Sequence, residues 1–383
     1  MKKPKVLLIT NIIPPYRIPL YNYIYLIKHF DFKVIALGEK EANRDWKIPK
    51  NKIEFNYKIL PGFHKFIWSK EIAIHLNWGL WKAILKYDPD IVITSGYDML
   101  AYWEAFLYCK IFKKKFILWN GTTLLSSKKT RGLKSRLKQI IIRGADRYIT
   151  YGTKAAEYLI HMSAPTGRIH VGINTGDVNW FRKRSKESNQ DEDIRLERSK
   201  YPNILMLYVG RLSNNKGVFQ ILKSLIELQD TDIGLLIVGS GPQGKELKQL
   251  CQDQNLENVY FKEFQQQDSL PRFYALADFL ILPTFKEVWG LVVNEALASG
   301  LYVLCSDQAG AAYDLIKEGW NGILFDPHNI EELVILIRKT EEQVEDIRAR
   351  WDAISEHACH EFSIERSGKA FSNAVEAVIS NKA

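Results

Sequence analysis

The strongest constraint in this sequence is an alternation of short, largely apolar runs with stretches of helical periodicity. Runs at 5–10, 32–37, 53–60, 91–94, 116–119 and 147–150 form one series. A second follows at 204–209, 234–238, 259–261, 279–282 and 302–305. A strand apolar on both faces must be covered on both, which a parallel sheet flanked by helices provides. Helices are predicted over 17–29, 66–86 and 99–115, and after Lys216, Gln243, Ser269, Leu291 and Asn329. The alternation lapses over 182–200, which is polar and rich in Ser, Asp and Glu and reads as a linker or loose insertion with some helical content. The pattern predicts an α/β chain of two doubly wound, Rossmann-like domains. They would span 1–180 and 202–361, joined by a linker at 181–201, with a C-terminal helix at about 362–383 packing back on the first. A cleft between them, at the carboxyl ends of the strands, is the expected ligand site.

A length of 383 residues agrees with two domains. The apolar share of 46% and charged share of 25% are those of a globular chain that needs no staples. Charge is divided unevenly. Residues 1–185 carry 33 Lys and Arg against 13 Asp and Glu, a balance of +20, while the remainder balances at −11. A basic half points to an anionic partner. Its segments 66–86 and 99–115 mix Trp, Tyr and Phe with lysines, and 128–147 adds further charge, which suits an anionic membrane face and a phosphate-bearing, lipid-linked acceptor. Packing of those aromatics against the sheet is the competing reading. No nucleic-acid motif is present, so nucleic acid is not expected as a partner.

No apolar stretch is long enough for a membrane span, and residues 6–9 are too short for a signal peptide. The four cysteines form no CxxC pair, and a reducing, cytoplasmic compartment is expected. His357, Cys359 and His360 read as a frayed helical surface. Asp88-Pro89-Asp90 has the D-x-D form, but its proline marks a turn before a strand. No metal is expected.

Three segments carry chemistry. In Val209-Gly210-Arg211-Leu212-Ser213-Asn214-Asn215-Lys216-Gly217, a strand ends and a helix begins, with Arg211 and Lys216 in the loop. Two cations beside a helix N-terminus make an anion site. Gly239-Ser240-Gly241-Pro242-Gln243-Gly244 follows the next strand and fits G-x-G-x-x-G, with Glu263 at dinucleotide spacing. A dinucleotide loop and a plain glycine-lined turn both remain open. The third segment runs over 282–300. It delivers Glu287 onto a loop, turns at Gly290, and opens a helix whose first amides are those of Leu291 and Val292. Glu295 lies one turn in. Amides suit a phosphate, and two carboxylates suit sugar and ribose hydroxyls.

The third segment resembles the E-x7-E signature of retaining glycosyltransferase family 4, whose fold is GT-B. Glu287 and Glu295 match its glutamates. Gly210-Arg211-Leu212-Ser213 with Lys216-Gly217 is similar to the family's GRL-[ST]-x-x-KG motif. Gly239-Ser240-Gly241-Pro242 resembles its G-x-G-P loop, and Tyr274-Ala275-Leu276-Ala277-Asp278 its Y-x-x-A-D stretch. The resemblance implies that Arg211, Lys216 and Glu287 act at the reacting end of a nucleotide sugar, UDP- or GDP-linked. The cations would neutralise the diphosphate and Glu287 would hold the sugar. It further implies donor contacts from Gly210, Gly239, Gly241, Phe264 beside the base, Gly290, Leu291, Val292, and Glu295 at the ribose.

The first half departs from the pattern. Ile12-Ile13-Pro14-Pro15 stands where relatives have a glycine-rich loop, leaving Arg17 as a phosphate contact. Asn120, in Trp119-Asn120-Gly121-Thr122, stands where relatives have a histidine. It suits a sugar hydroxyl but not base chemistry. The implied function is retaining, metal-independent and cofactor-free sugar transfer to a cell-surface polysaccharide, lipopolysaccharide or other lipid-linked acceptor, at the inner face of the membrane. A nucleotide-sugar epimerase on the same fold and an NAD-dependent oxidoreductase using the 239–244 loop are the alternatives.

Overall fold

The computed structural model describes residues 3–42, 44–67, 72–127, 132–229 and 232–380. The chain divides into two compact units. One is Met1–Asn174 with Ile364–Ala383, the other Thr175–Ser363.

The first unit runs β1 (Lys5–Thr10), α1 (Ile18–Leu26), β2 (Asp31–Ala36), β3 (Asn56–Ile59), β4 (Gly62–Ile67), β5 (Ile72–Asn77), α2 (Leu80–Tyr87), β6 (Ile91–Thr94), α3 (Leu100–Ile111), β7 (Lys115–Asn120), α4 (Leu133–Arg143), β8 (Arg147–Thr150), α5 (Thr153–His161) and β9 (Ile169–Val171). Its parallel sheet has the order β3-β2-β1-β6-β7-β8-β9. The order reverses between β1 and β6, so the loops after those two strands diverge there, the place where doubly wound sheets take ligands. One face of the sheet packs residues of α2 to α5 such as Ile84, Tyr102, Ile141 and Leu159. The other packs Leu20, Tyr21 and Ile24 of α1 with Phe371 and Val375 of the last helix.

The second unit runs α6 (Val178–Gln190), α7 (Glu192–Arg198), β10 (Ile204–Val209), α8 (Val218–Leu228), β11 (Ile233–Val238), α9 (Gly244–Asp253), β12 (Val259–Lys262), α10 (Leu270–Leu276), β13 (Phe279–Leu282), α11 (Leu291–Ala298), β14 (Tyr302–Ser306), α12 (Ala312–Leu315), β15 (Gly322–Phe325), α13 (Ile330–Glu342), α14 (Val344–Ala349) and α15 (Trp351–Glu361). Its sheet is parallel, in the order β12-β11-β10-β13-β14-β15. It switches between β10 and β13. Strands β10, β11, β13 and β14 are buried at every position, as apolar runs covered on both faces must be.

The last helix, α16 (Ile364–Ser380), belongs to the first unit. Phe371 meets Trp119 edge-on at 4.7 Å between ring centres. A Cβ on Gly368 would strike the Tyr23 ring, so the small residue lets α16 lie close against α1.

Three expectations are corrected. The helix expected over 66–86 is an antiparallel hairpin, β4 with β5, followed by α2; residues 68–71 lie outside the described residues. Ile72, Ile74 and Leu76 alternate with Ala73, His75 and Asn77, a period of two that selects a strand. The stretch expected as a linker is α6 and α7, inside the second unit. Asp177 and Asp191 cap the two helices through Trp180 N (3.0 Å) and Asp193 N (2.9 Å). Phe181 packs against Tyr274, and the Ser185 hydroxyl bonds that of Ser299 at 2.8 Å. Cys359 is buried, its thiol 3.5 Å from the Val178 carbonyl, and His357 packs on Trp320 and Phe362, so of that cluster only the exposed His360 fits a surface at the helix end. Of the basic run 128–147, residues 128–131 lie outside the described residues, as do 381–383 of the C-terminal helix and Lys2 near the start.

Candidate functional site

The second unit's switch point builds the most complete constellation. Strand β10 ends at Val209, and Gly210 N still bonds Val238 O at 3.1 Å, holding the next loop to the sheet edge. A single turn, Asn214–Lys216, follows. The loop after β13 is pinned to that turn. Thr284 Oγ1 and Phe285 N both donate to the Asn215 carbonyl at 2.9 Å, and Ser306 Oγ holds Thr284 O at 2.7 Å. Gly217 sits in the left-handed region with φ 68°, and a Cβ there would collide with the Pro283 carbonyl oxygen. This contact brings Lys216 and Glu287, 71 residues apart in sequence, into an ion pair between Nζ and Oε2.

Glu287 is fixed through its own backbone. It donates to Gln308 O at 3.3 Å and accepts from Gly310 N at 3.2 Å. Its second carboxylate oxygen takes Val288 N at 3.1 Å. Behind it, buried Trp289 donates its indole N–H to Asn294 at 2.9 Å, locking the loop to α11. Gly290 starts that helix with φ 101°, and no side chain caps the first turn. The amides of Leu291 and Val292 open the helix, where an anion is favoured.

Glu295 is half-buried and accepts a hydrogen bond from Tyr274 Oη at 2.7 Å. Burial pushes its carboxyl up to about 7, against the opposing pull of the Tyr274 hydroxyl. Tyr274 therefore does more than pack, which its place in the Y-x-x-A-D stretch did not disclose. Asp278, from the same stretch, is a brace. It is 2% exposed, accepts Leu205 N at 2.7 Å, and pairs with Arg198 (3.1 Å) and Arg348 (2.9 Å).

The glycines of the 239–244 loop serve a loop-to-loop contact. A Cβ on Gly239 would strike the Gly210 carbonyl, and one on Gly241 the Leu212 carbonyl. Leu212 N bonds Ser240 O at 3.0 Å and Gln243 N bonds Leu212 O at 3.1 Å. Glu263 is exposed and 3.5 Å from Lys248 Nζ. Phe264 is half-buried just beyond β12, and Arg211 half-buried in the loop after β10. A cavity of about 360 Å³ opens nearby, lined by Asn214, Phe219, Lys223, Gln243, Glu246 and Phe285. It adjoins the two pinned loops but does not contain Lys216 or Glu287. The pair is the better marker of chemistry, because its charges are held by several independent contacts.

Residues 189–357 match the family described as glycosyl transferases group 1. Over this segment, less than half of the chain, the sequence is similar to the group 1 glycosyltransferases. The group 1 segment holds every residue of the constellation just described. Sulfoquinovosyl transferase SQD2 of Arabidopsis thaliana is 29% identical over 198 residues, 48% of this chain and 38% of that protein. The D-inositol 3-phosphate glycosyltransferase of Corynebacterium kroppenstedtii is 27% identical over 204 residues, 50% of this chain and 45% of that one. The chain thus spans less than half the length of these curated relatives. The crystal structure of HepE from Anabaena in complex with UDP is similar over 97% of this chain and 100% of its own, with a TM-score of 0.74 at 17% identity. The fold is GT-B.

In the first unit, Asn120 is 1% exposed and spends its amide on Thr122. Its Nδ2 donates to Thr122 O (3.0 Å) and its Oδ1 accepts Thr122 N (3.3 Å). It closes its own turn and offers a ligand little. Arg17 is 3% exposed among aromatic rings. The structure therefore gathers Arg211, Lys216, Glu287, Gly290, Leu291, Val292 and Glu295 within the second unit and leaves Arg17 and Asn120 in the first. The two carboxylates of Asp88-Pro89-Asp90 go separate ways, Asp88 to Lys114 (2.7 Å) and Asp90 to Lys5 N (3.0 Å). Among the described residues no group of three or more His, Cys, Asp or Glu is placed to hold a metal.

Proposed function

We propose that this chain is a retaining glycosyltransferase that moves a sugar from a nucleotide-sugar donor to a polysaccharide or lipid-linked acceptor without a metal. The observation that carries the proposal is the Lys216–Glu287 pair held at the β10/β13 switch point. Lys216 and Arg211 face charge that develops on the leaving diphosphate, the kind of preorganised stabilisation that contributes most in such reactions. As the bond from the anomeric carbon to the phosphate oxygen breaks, its electrons go to that oxygen. The acceptor hydroxyl bonds to the carbon from the same face and gives its proton to the departing phosphate. Glu287 accepts hydrogen bonds from the sugar, and Glu295 from the ribose. The UDP-glucose complex of HepE supports a nucleotide-sugar donor.

The acceptor reading rests on the first unit's surface. Leu100, Leu107, Ile111 and Phe112 are exposed along and just past α3, while Tyr102 and Tyr108 turn inward. Lys110 and Lys114 flank the stripe. An apolar stripe edged with lysines suits an anionic membrane face. Among the described residues no helix is long and apolar enough to cross a membrane. Incubating the protein with UDP-, GDP- and ADP-sugars and scoring donor turnover tests the chemistry. Turnover unchanged by Lys216→Ala or Glu287→Ala would sink the site assignment. Flotation with phosphatidylglycerol vesicles, absent with phosphatidylcholine, tests the surface; equal flotation with both defeats it.

A further inference from the structure

Arg17 ends the turn Pro15–Arg17 that follows β1, and it caps α1. Its side chain is buried, with the guanidinium carbon 4.3 Å from the Trp119 ring centre, 5.0 Å from Tyr151 and 5.3 Å from Tyr16. Three rings attract a cation through their faces but supply no counter-charge. Burial raises the phenols of Tyr16 and Tyr21, so they stay protonated and neutral. Nη1 is buried without a hydrogen-bond partner, although the Tyr151 side chain hydrogen-bonds the guanidinium, and no carboxylate ion pair holds Arg17 among the described residues. An unpaired buried charge costs several kcal/mol. The second unit shows how this chain treats its other inward charges. Asp278 has two arginines, and Lys216 has Glu287.

The location is informative. Arg17 lies among the residues that end β1, β7 and β8, on the carboxyl edge of the sheet and beside its β1/β6 switch point, where Thr10 and Ser95 hydroxyls meet at 3.0 Å. The loop before it contains Pro14 and Pro15, which have no N–H to offer an anion. A side chain must do there what backbone amides do elsewhere, and a guanidinium fork matches phosphate oxygens.

We propose that Arg17 anchors an anion-binding site in the first unit that takes a phosphate group of the acceptor. The site itself stands on the unsatisfied Nη1 of the buried guanidinium. Only the source of the phosphate rests on the glycosyltransferase reading, which gives the donor diphosphate to Arg211 and Lys216.

The test is calorimetric titration of the full chain with inorganic phosphate, with and without saturating UDP, for wild type, Arg17→Lys and Arg17→Met. Thermal unfolding is recorded alongside. Saturable binding should persist in UDP, weaken at least tenfold in Arg17→Met, and weaken by a smaller factor in Arg17→Lys. Without phosphate, Arg17→Met should unfold at or above the wild-type temperature, since it removes a buried charge that no carboxylate balances. Absent binding in wild type, or equal affinity in all three proteins, overturns the site. A lower unfolding temperature in Arg17→Met with phosphate affinity intact also overturns it, assigning Arg17 to packing alone. Loss of phosphate binding on adding UDP overturns the acceptor as the source. Should Arg17→Met not fold, Arg17→Lys carries the comparison. Sugar transfer is read nowhere, so a failure of the glycosyltransferase reading leaves these outcomes intact.

Discussion

The two sheets switch direction at equivalent places and treat charge there in opposite ways. At β10/β13 the cation Lys216 meets the carboxylate Glu287, and both loops are pinned through the Asn215 carbonyl. At β1/β6 the neighbouring cation, Arg17, is walled in by rings and keeps an unused N–H. The same topology thus offers one site whose charges balance without a ligand and one whose charge does not. A balanced pair is preorganised for a ligand whose charge changes during reaction. An unbalanced buried cation is arranged for a ligand whose charge stays the same, because only a bound anion completes it.

The comparison breaks most visibly if paired buried charges prove dispensable. Asp278→Ala should cost about 3–5 kcal/mol, because Arg198, Arg348 and the Leu205 amide lose their shared acceptor. Chemical denaturation of the variant beside Arg17→Met reads both limits. A loss under 1 kcal/mol for Asp278→Ala removes the contrast. Next in size is Lys216→Ala, expected to lower turnover of the preferred donor by about 10²–10³-fold. The double variant with Glu287→Ala should fall little further than the single ones, since the two act as a unit. Multiplicative losses in a kinetic cycle would show that the pair is not one device. Gly217→Ala follows. A side chain at positive φ costs about 1–3 kcal/mol, and this one also pushes on the Pro283 carbonyl. Turnover should drop with stability, because the same contact sets the Lys216–Glu287 approach. Full turnover in a destabilised Gly217→Ala would detach the pair from the loop.

Much of the second unit was legible because its signals are local. Residues 204–209 are apolar throughout and buried throughout, and the glycines and glutamates stand at fixed offsets from strand ends. The meeting of Lys216 with Glu287 is not local. It follows from strand order, in which the first and fourth strands of the unit are neighbours. The first unit was harder to read. In the 62–77 hairpin, Phe63 and Leu76 face outward, so its apolar residues do not report a buried face. The second unit has one such stretch too: the 182–200 helices bury few residues, Ser185 and Ile194 among them, and their charged majority reads as linker. Asn120 looks like a ligand group in sequence because its own turn, which consumes it, depends on backbone geometry.

The smallest expected effect concerns Glu295, and it extends the contrast to protons. Its folded value of about 7 lies above the ordinary carboxylate value of 4.5, so the folded state holds a proton that the unfolded state has released between those pH values. Stability should therefore decline as pH rises from about 4.5 to 7 and level off above it, at no more than about 1.4 kcal/mol per unit of displacement. Partial exposure reduces this to about 1–2 kcal/mol over the window. Glu295→Gln, neutral at every pH, should lack the decline and unfold later than wild type at pH 8. Nucleotide binding should move the other way. A carboxylate accepts ribose hydroxyls better than a carboxylic acid does, so UDP or GDP affinity should rise through pH 7 in wild type and stay flat in Glu295→Gln. Tyr274→Phe sharpens the point. Removing the hydroxyl that pulls the value down should shift the wild-type binding curve to higher pH without abolishing it. Parallel pH profiles for wild type and Glu295→Gln would mean that the proton at Glu295 is spectator to the nucleotide, leaving Lys216 and Glu287 as the whole of what the second switch point contributes.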